Sequence, residues 1–306
     1  MKDLKVYADL QVRGINYEIN GTHDDLRDIS QEHDFTFFNP KFGAIYQINT
    51  KHQAYFSFAI ANREPTRSDF RDADEGHQPQ PEKLTDYELG YNYSAGKVRF
   101  NANLFYMDYR DQLVLTGEIN NVGAPIFTNV PNSHRTGIEL VTGLKPYRWL
   151  GWEGNASFSR NKIKGFEEYV DNWSPPYEQI SNELGETDLS FSPEVILNSI
   201  FNFQPIENMN IRLISKYVGK QYIDNTSSDE RALDPYFVND VHFNYTLYPG
   251  FVKELGLFLN VSNIFSEKYE TNAWVYRYYY QGEEYMMNGY FPQATINFLA
   301  GLSMKF

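Results

Sequence analysis

The chain has 306 residues, a formal net charge of −13 and no cysteine. The acidic balance argues against nucleic-acid binding, which needs a basic surface to neutralise phosphates, and the lack of cysteine excludes disulfides and thiol chemistry. Aromatic residues make up 17% of the chain, although its mean hydropathy is −0.55. That combination is typical of a membrane β-barrel with aromatic girdles, a polar lumen and hydrophilic loops, and a soluble all-β carbohydrate-binding protein would share it.

The first predicted strand begins almost at the amino terminus. Leu4, Val6, Ala8, Leu10 and Val12 are every second residue, and such alternation predicts a strand with one apolar face. No signal peptide, with its charged start and continuous apolar core, precedes this strand. We therefore expect the chain to be the downstream part of a longer polypeptide.

Alternating segments of this kind recur along the whole chain, and each is near the roughly ten residues with which a tilted strand crosses a bilayer. No run approaches the roughly 20 apolar residues of a membrane helix, so a membrane passage would require a closed barrel. Twelve strands are predicted, at 4–17, 40–50, 52–62, 85–95, 97–110, 133–146, 150–161, 194–204, 209–219, 236–248, 254–265 and 294–306.

The connections between these strands alternate in length, which is how outer-membrane barrels are built: tight turns are periplasmic and long loops are extracellular. The tight turns contain or adjoin Gly, Pro or Asn and lie at Thr50–Lys51, Ala95–Gly96, Tyr147–Leu150, Pro205–Asn208 and Pro249–Lys253. The long loops are predicted at 18–39, 63–84, 111–132, 162–193, 220–235 and 266–293.

The last thirteen residues, ATINFLAGLSMKF, alternate up to the terminal Phe306. A strand that keeps its pattern to the carboxyl terminus resembles the closing strand of an outer-membrane barrel, because the end of a soluble chain is usually frayed and polar. With Phe306 at the periplasmic rim, all six long loops are extracellular.

Three stretches are similar to TonB-dependent receptors of Gram-negative outer membranes, in particular those of Bacteroidetes: PQPEKLTDYELGYNY (79–93), LFLNVSNIFSEKYETNAW (257–274) and YFPQATINFLAGLSMKF (290–306). One departure is Thr295-Ile296, where the family usually has Gly-Arg or a similar pair. The resemblance implies an all-β, antiparallel transmembrane barrel in which residues 1–306 supply the last twelve of 22 strands, as the carboxy-terminal portion of one barrel domain without its plug. We then expect the first and last strands to be unpaired edges, and the isolated chain to be unable to close.

No catalytic motif is present, and we predict that the protein is not an enzyme. Asp240 and His242 share a strand face and are interpreted as polar lumen residues rather than a catalytic pair. No cofactor is predicted. Carboxylates are dense in the loops, where a structural calcium ion is one possibility and a solvated acidic face, bridged to lipopolysaccharide by divalent ions, is the other. These carboxylates are Asp24, Asp25, Asp28, Asp69, Asp72, Asp74, Glu75, Asp224, Asp229 and Glu230.

Ligand-binding candidates come from the loops rich in aromatic residues, because rings offer flat contact area with little rotamer entropy to lose. The candidates there are Trp173, Tyr177, Trp274, Tyr276, Arg277, Tyr278 and Tyr280. Arg63, Arg67 and Arg71, spaced by four in REPTRSDFR, could hold an anionic ligand bidentately or pair with carboxylates of the loops or plug.

The resemblance implies active uptake of a scarce nutrient, driven by the TonB complex through the missing plug. We expect an iron–siderophore, haem or cobalamin ligand rather than a glycan, since glycan importers are typically larger. The expected surroundings are lipopolysaccharide and outer-membrane lipid. Two alternatives remain open at this point: an autonomous twelve-stranded outer-membrane pore or enzyme, and a soluble all-β binding protein.

Overall fold

The computed structural model describes residues 3–23, 26–73, 78–119 and 125–306. These residues form an almost entirely β structure with one short α-helix and one 3₁₀ turn, Asp229–Arg231. The elements are β1 (Asp3–Ile19), β2 (Gln31–Gln47), β3 (His52–Arg63), α1 (Arg67–Asp72), β4 (Glu82–Ala95), β5 (Val98–Ile119), β6 (Pro125–Tyr147), β7 (Leu150–Asn172), β8 (Ile180–Asp188), β9 (Val195–Phe203), β10 (Met209–Val218), β11 (Gln221–Tyr222), β12 (Ala232–Leu233), β13 (Tyr236–Leu247), β14 (Glu254–Ser262), β15 (Glu270–Tyr280), β16 (Glu283–Pro292) and β17 (Asn297–Lys305).

The main sheet follows the order β1-β2-β3-β4-β5-β6-β7-β9-β10-β13-β14-β17. The prediction of twelve wall strands is thereby confirmed, and every pairing along this path is antiparallel. Within the described residues β1 pairs only with β2, and β17 only with β14. The wall is therefore open at two strand edges, as expected. Among these residues no helix combines the length and the apolarity that spanning a bilayer would demand.

The register places the alternating residues on two distinct faces. Phe56, Leu89, Leu104, Ile138 and Phe158 are paired in one row across β3 to β7, on what we call the apolar face. The neighbouring row on the polar face carries Tyr55, Gly90 and Asn103, where the Tyr55 hydroxyl donates to Asn103 Oδ1 at 3.0 Å. Because successive side chains of a strand point to opposite faces, the sequence pattern alone places these residues correctly.

On the polar face, large aromatic rings lie over glycines of the neighbouring strand. The Tyr55 ring covers Gly90 on the adjacent strand, and the Phe258 ring covers Gly301 in the same way, so that a Cβ at either glycine would overlap the ring. A glycine in a strand interior marks a place where another group approaches the backbone closely. Here that group is an aromatic ring lying flat across the strand pair.

Three of the predicted long loops are wrong in their secondary structure. Residues 111–119 and 125–132 continue β5 and β6, residues 162–172 continue β7 with β8 paired to it, and 266–293 contains the β15–β16 hairpin. The three other long connections include α1, the β11–β12 pair and the early start of β2. The strand segments beyond the predicted ends lie at the end of the wall that carries the long connections, where strict alternation is lost.

The packed hydrophobic core lies in these strand extensions. Val114, Val130, Ile163, Phe166 and Leu189 form one cluster, all at most 6% exposed. In contrast, the apolar face of the wall is open, as Val6 (75% exposed) and Leu302 (67% exposed) show. Apolar residues that are exposed along the wall and buried in its extensions are what a lipid-facing wall with a folded cap at one end requires.

Candidate ligand-binding surface

Six of the predicted ligand residues lie on two neighbouring elements at the end of the wall that carries the long connections. Trp173 directly follows β7, and the other five belong to β15. β15 crosses to β7 through a short parallel pairing, Tyr278 with Asp171 and Tyr279 with Asn172. The Trp173 amide donates to the Tyr279 carbonyl at 2.8 Å. Two segments about a hundred residues apart in sequence are therefore brought side by side.

The alternation of β15 divides its residues between two faces. Trp274, Tyr276, Tyr278 and Tyr280 share one face, and Tyr278 pairs with Tyr285 of β16. The Trp173 ring stacks on Tyr278 with centroids 3.9 Å apart and planes 18° apart, and Tyr278 stacks on Tyr285 at 5.4 Å and 11°. Tyr276 lies 6.0 Å from Tyr278, and Tyr280 meets Tyr285 edge-on. We call this group the aromatic platform: Trp173, Trp274, Tyr276, Tyr278, Tyr280 and Tyr285.

The platform is well exposed, since Trp173 is 48% and Trp274 is 47% accessible. The Trp274 ring lies against the backbone at Gly289, its pairing partner on β16, where a Cβ would collide with the indole.

Tyr285 belongs to the predicted last loop but was not among the predicted ligand residues. The alternating letters WVYRYYY (274–280) are the signal that could have revealed the strand and its shared face.

Tyr276 anchors the platform to β7. Its hydroxyl donates to Asp171 Oδ2 at 2.6 Å. Burial raises the pKa of Tyr276 well above its ordinary value, and this hydrogen bond to a carboxylate is the second largest cause. The phenol therefore keeps its proton, and the hydrogen bond, throughout the physiological range.

Arg277 lies on the opposite face of β15 from the platform and is only 11% exposed at its side chain. Its guanidinium contacts Glu168 of β7 and also lies 2.6 Å from Glu284 of β16. Burial acts to lower the pKa of Arg277, but the charges and hydrogen bonds of Glu168 and Glu284 outweigh it and raise the pKa. Arg277 thus joins β15 to β7 and β16, and the carboxylates of Glu168 and Glu284 already neutralise its charge.

Glu168 is the centre of this network. It lies 3.4 Å from Arg231, which follows β10 in the sequence, and Arg231 is in turn 2.6 Å from Asp224. Glu168 and Arg231 are 6% and 7% exposed. Three extracellular connections therefore meet at one carboxylate. Sequence reasoning missed this centre, because its members are 63 and 109 residues from Glu168.

The three predicted arginines of the second long loop do not converge. Arg63 pairs with Glu82 across β3 and β4 at 3.0 Å, and Arg71 pairs with its neighbour Asp72 at 2.6 Å. Arg67 begins α1 and is exposed. The helix is fixed by a capping box formed by Thr66 and Asp69. Hydrogen bonding from Arg71, which outweighs burial, holds the pKa of Asp72 below its ordinary value.

Tyr177 stands apart from the platform, in the turn between β7 and β8. It is 71% exposed and has a left-handed backbone, with φ 65°. Its amide donates to the Ser174 carbonyl at 2.7 Å. The turn thus holds Tyr177 outward, where it can be reached from the medium.

The carboxylates proposed for calcium are mostly engaged with protein groups. Asp229 pairs with Lys220 at 2.6 Å, Asp224 with Arg231, and Asp69 caps α1. Within the described ranges no three His, Asp or Glu side chains gather as a metal site would require. Asp24, Asp25, Asp74 and Glu75 lie outside those ranges.

Asp240 accepts a hydrogen bond from the Asn263 backbone amide at 2.7 Å and so fixes the start of the last long connection.

Residues 5–264 match the family model described as TonB dependent receptor-like, beta-barrel. The sequence matches no curated protein.

Among solved structures, the ferric-catecholate import receptor Fiu from E. coli K12 is similar with a TM-score of 0.70, 16% sequence identity and 99% of this chain covered. The siderophore receptor PiuA from Acinetobacter baumannii gives 0.72, 13% and 98%, and the FrpB iron transporter from Neisseria meningitidis gives 0.66, 18% and 98%. The chain spans only 42%, 41% and 43% of those three chains, respectively.

The twelve-stranded antiparallel wall, its lipid-type apolar face and the family match over most of the chain agree. The chain is located in the outer membrane and belongs to the TonB-dependent receptor-like β-barrel family.

Proposed function

We propose that this chain is the carboxy-terminal barrel portion of a Bacteroidetes-type TonB-dependent receptor that imports a scarce nutrient complex with flat ring groups, of the iron–siderophore, haem or cobalamin type. The observation that carries the proposal is the stack of Trp173, Tyr278 and Tyr285, whose outer rings Trp173 and Tyr285 are exposed. Flat rings bind flat ligands through offset stacking. Catecholate siderophores and haem present aromatic rings of this kind, and the corrin ring of cobalamin presents a broad, nearly flat face.

The charged groups around the platform indicate which kind of contact could hold a ligand there. Asp171, Glu283 and Glu284 lie beside or opposite platform residues, and the neighbouring cation Arg277 is already paired with two carboxylates. A clamp of arginines for a highly charged anion is therefore not what these residues form. Ring stacking and hydrogen bonds from phenol groups carry the recognition in this proposal.

Transport itself would involve parts outside these residues. In this proposal the ligand binds the extracellular connections and the apex of a plug, and the TonB complex supplies energy by acting on that plug. The similar structures are those of a ferric-catecholate import receptor, a siderophore receptor and an iron transporter, which supports an iron complex as the ligand. Family membership removes the soluble alternative. The two open edges of the wall argue against the autonomous pore, because a closed barrel needs both edges paired.

Equilibrium binding to the full-length receptor tests the proposal, with a ferric tricatecholate, haem and cyanocobalamin as probes. The double variant Trp173→Ala/Tyr285→Ala removes both outer rings of the stack. Since an aromatic pair contributes about 0.5–1.5 kcal/mol beyond area burial, two lost pairs should weaken binding about fivefold to 150-fold.

A matched control removes two stacked rings from the opposite end of the wall. Tyr147 and Trp149 stack with centroids 5.2 Å apart in the tight turn after β6, and Tyr147→Ala/Trp149→Ala should leave ligand binding unchanged. If the platform variant binds all three probes as tightly as the wild type does, the platform is not the ligand site. Uptake that persists after the proton gradient is collapsed would contradict the TonB-coupled part.

A further inference from the structure

A methionine lies among the rings of the aromatic platform. Met287 of β16 pairs with Tyr276, and the next pair on the same face is Tyr278 with Tyr285. Since alternate residues of a strand share a face, the Met287 side chain projects on the same side of the hairpin as these rings. It is 47% exposed. The platform therefore presents a thioether sulfur, a soft metal donor, together with its aromatic surface.

Aromatic rings lie on both sides of this thioether along β16. Tyr285 is two residues before Met287, and two residues after it the Trp274 indole lies over Gly289. From Tyr285 to Gly289 the strand rises about 13 Å, at about 3.3 Å per residue. A ligand that contacts both rings must therefore be broad and flat. The centre of such a ligand lies over Met287.

The phenol groups on this face are poor metal ligands, because a phenol coordinates a metal as its anion. The negative charge of Glu283 is the largest of the causes that raise the pKa of Tyr285 above its ordinary value, and burial raises the pKa of Tyr276. Both phenols therefore keep their protons at neutral pH. Histidine, the commonest metal ligand, does not occur in β15 or β16. Between the two ring contacts, Met287 offers a donor that has no proton to lose.

We propose that the Met287 thioether coordinates the metal of the bound ligand, and that the platform thereby selects an iron porphyrin with an open axial position. The inference rests on the proposed function, since it concerns the same platform. An iron porphyrin is broad enough to contact both rings, and porphyrin iron accepts a thioether as an axial ligand. The iron of a ferric tricatecholate is already saturated by catechol oxygens, and the cobalt of cyanocobalamin holds a ligand on each axial side. Both could stack on the rings, but neither could accept the sulfur.

Equilibrium binding of haem and of metal-free protoporphyrin IX to the full-length receptor isolates the coordination bond, because the two macrocycles have the same shape. The wild type should bind haem more tightly. Met287→Leu should abolish this preference and still bind the metal-free ring as the wild type does, since leucine nearly conserves the volume of methionine. Bound ferrous haem should also lose the absorption spectrum of thioether-ligated iron. Met287→His should restore the preference for haem, with the spectrum of imidazole-ligated iron.

Met286→Leu is the matched control. Met286 is the preceding residue and is 42% exposed, but it pairs with Arg277 and therefore lies on the opposite face of the hairpin. This variant should keep the wild-type preference for haem. Equal binding of the two macrocycles by the wild type would overturn the proposal, as would a preference for haem that survives in Met287→Leu.

The metal-free ring separates this inference from the proposed function, because it can stack on the platform but cannot be coordinated. Its binding should weaken in Trp173→Ala/Tyr285→Ala, as the proposed function requires, and should not change in Met287→Leu. If the metal-free ring binds the double variant as tightly as the wild type, the platform is not the ligand site. If only the haem preference fails to depend on Met287, the platform stands and the coordination does not.

Discussion

Glu168 is the carboxylate on which the docking of the β15–β16 hairpin depends, and its replacement by glutamine removes one charge while keeping the side-chain shape. Its side chain is 8% exposed, and the two guanidinium partners, Arg231 and Arg277, are 9% and 11% exposed. Hydrogen bonds to charged groups contribute about 1.5–3 kcal/mol each. Removal of one partner from a buried ion pair costs about 3–5 kcal/mol when the other charge is left alone.

Two features lower this cost. Arg231 keeps Asp224 at 2.6 Å, and Arg277 keeps Glu284 at 2.6 Å. The glutamine carbonyl can also still accept a hydrogen bond. We therefore expect Glu168→Gln to destabilise the docked hairpin by about 2–3 kcal/mol, which corresponds to an opening equilibrium about 30- to 150-fold larger.

Amide hydrogen exchange in the full-length receptor measures this opening. Two amides report on it directly, because they bond across the contact between the hairpin and the end of β7. The Trp173 amide donates to Tyr279 at 2.8 Å, and the Gln281 amide donates to Ser174 Oγ at 2.6 Å. Both should exchange about 30 to 150 times faster in the variant. Exchange in the wall strands, such as β13, should not change.

Glu284→Gln is the matched control. It removes the same charge from the other carboxylate on Arg277, but that side chain is 41% exposed. Exposed pairs contribute no more than about 1 kcal/mol, so the two reporter amides should accelerate at most about fivefold. If Glu168→Gln exchanges no faster than Glu284→Gln, the buried carboxylate does not hold the hairpin, and the reasoning fails.

Two further predictions concern the wall and the platform. Gly90→Ala should lower the free energy of unfolding in detergent by about 1–3 kcal/mol, the usual cost of overpacking, because the new methyl group displaces the Tyr55 ring. Gly14→Ala, which has open space around its Cβ position, should be near neutral. If the two variants unfold at the same temperature, the Tyr55 ring does not require a glycine beneath it. The raised pKa of Tyr276 means that its stabilisation is complete below its ordinary pKa of 10.0 and is lost as the pH rises through the higher folded value. Tryptophan fluorescence should therefore show a transition above pH 10 that Tyr276→Phe abolishes, and an identical transition in the variant would contradict this assignment.

The sequence alone determined the wall. Twelve strands, their apolar and polar faces, the five tight turns and the placement of the long connections at one end of the wall all follow from alternation and turn residues. Phe56 and Leu89, for example, lie on the apolar face. The sequence predicts this position, because each is two residues from the next apolar residue on its strand. Alternation works here because lipid lies on one face of every strand and polar groups on the other, so each residue responds to a local and uniform environment.

The same signal failed above the membrane. Leu113 and Val114 are consecutive, yet both are buried, at 8% and 6% exposure. Protein packs against both faces of β5 at that height, so alternation disappears although the strand continues. Segments 111–132, 162–193 and 266–293 were therefore interpreted as loops, and their strands became visible only in the structure.

The candidate site shows the same division. Composition and loop position were enough to select Trp173, Tyr276, Tyr278 and Arg277, but only the tertiary structure separates the exposed rings from the buried guanidinium. Whether a cation is available to a ligand depends on which carboxylates reach it, and Glu168 lies 109 residues away from Arg277 in the sequence. No local pattern encodes such a pairing. The sequence determined which chemical groups the long connections carry, and the packing of three connections decided which of them remain exposed.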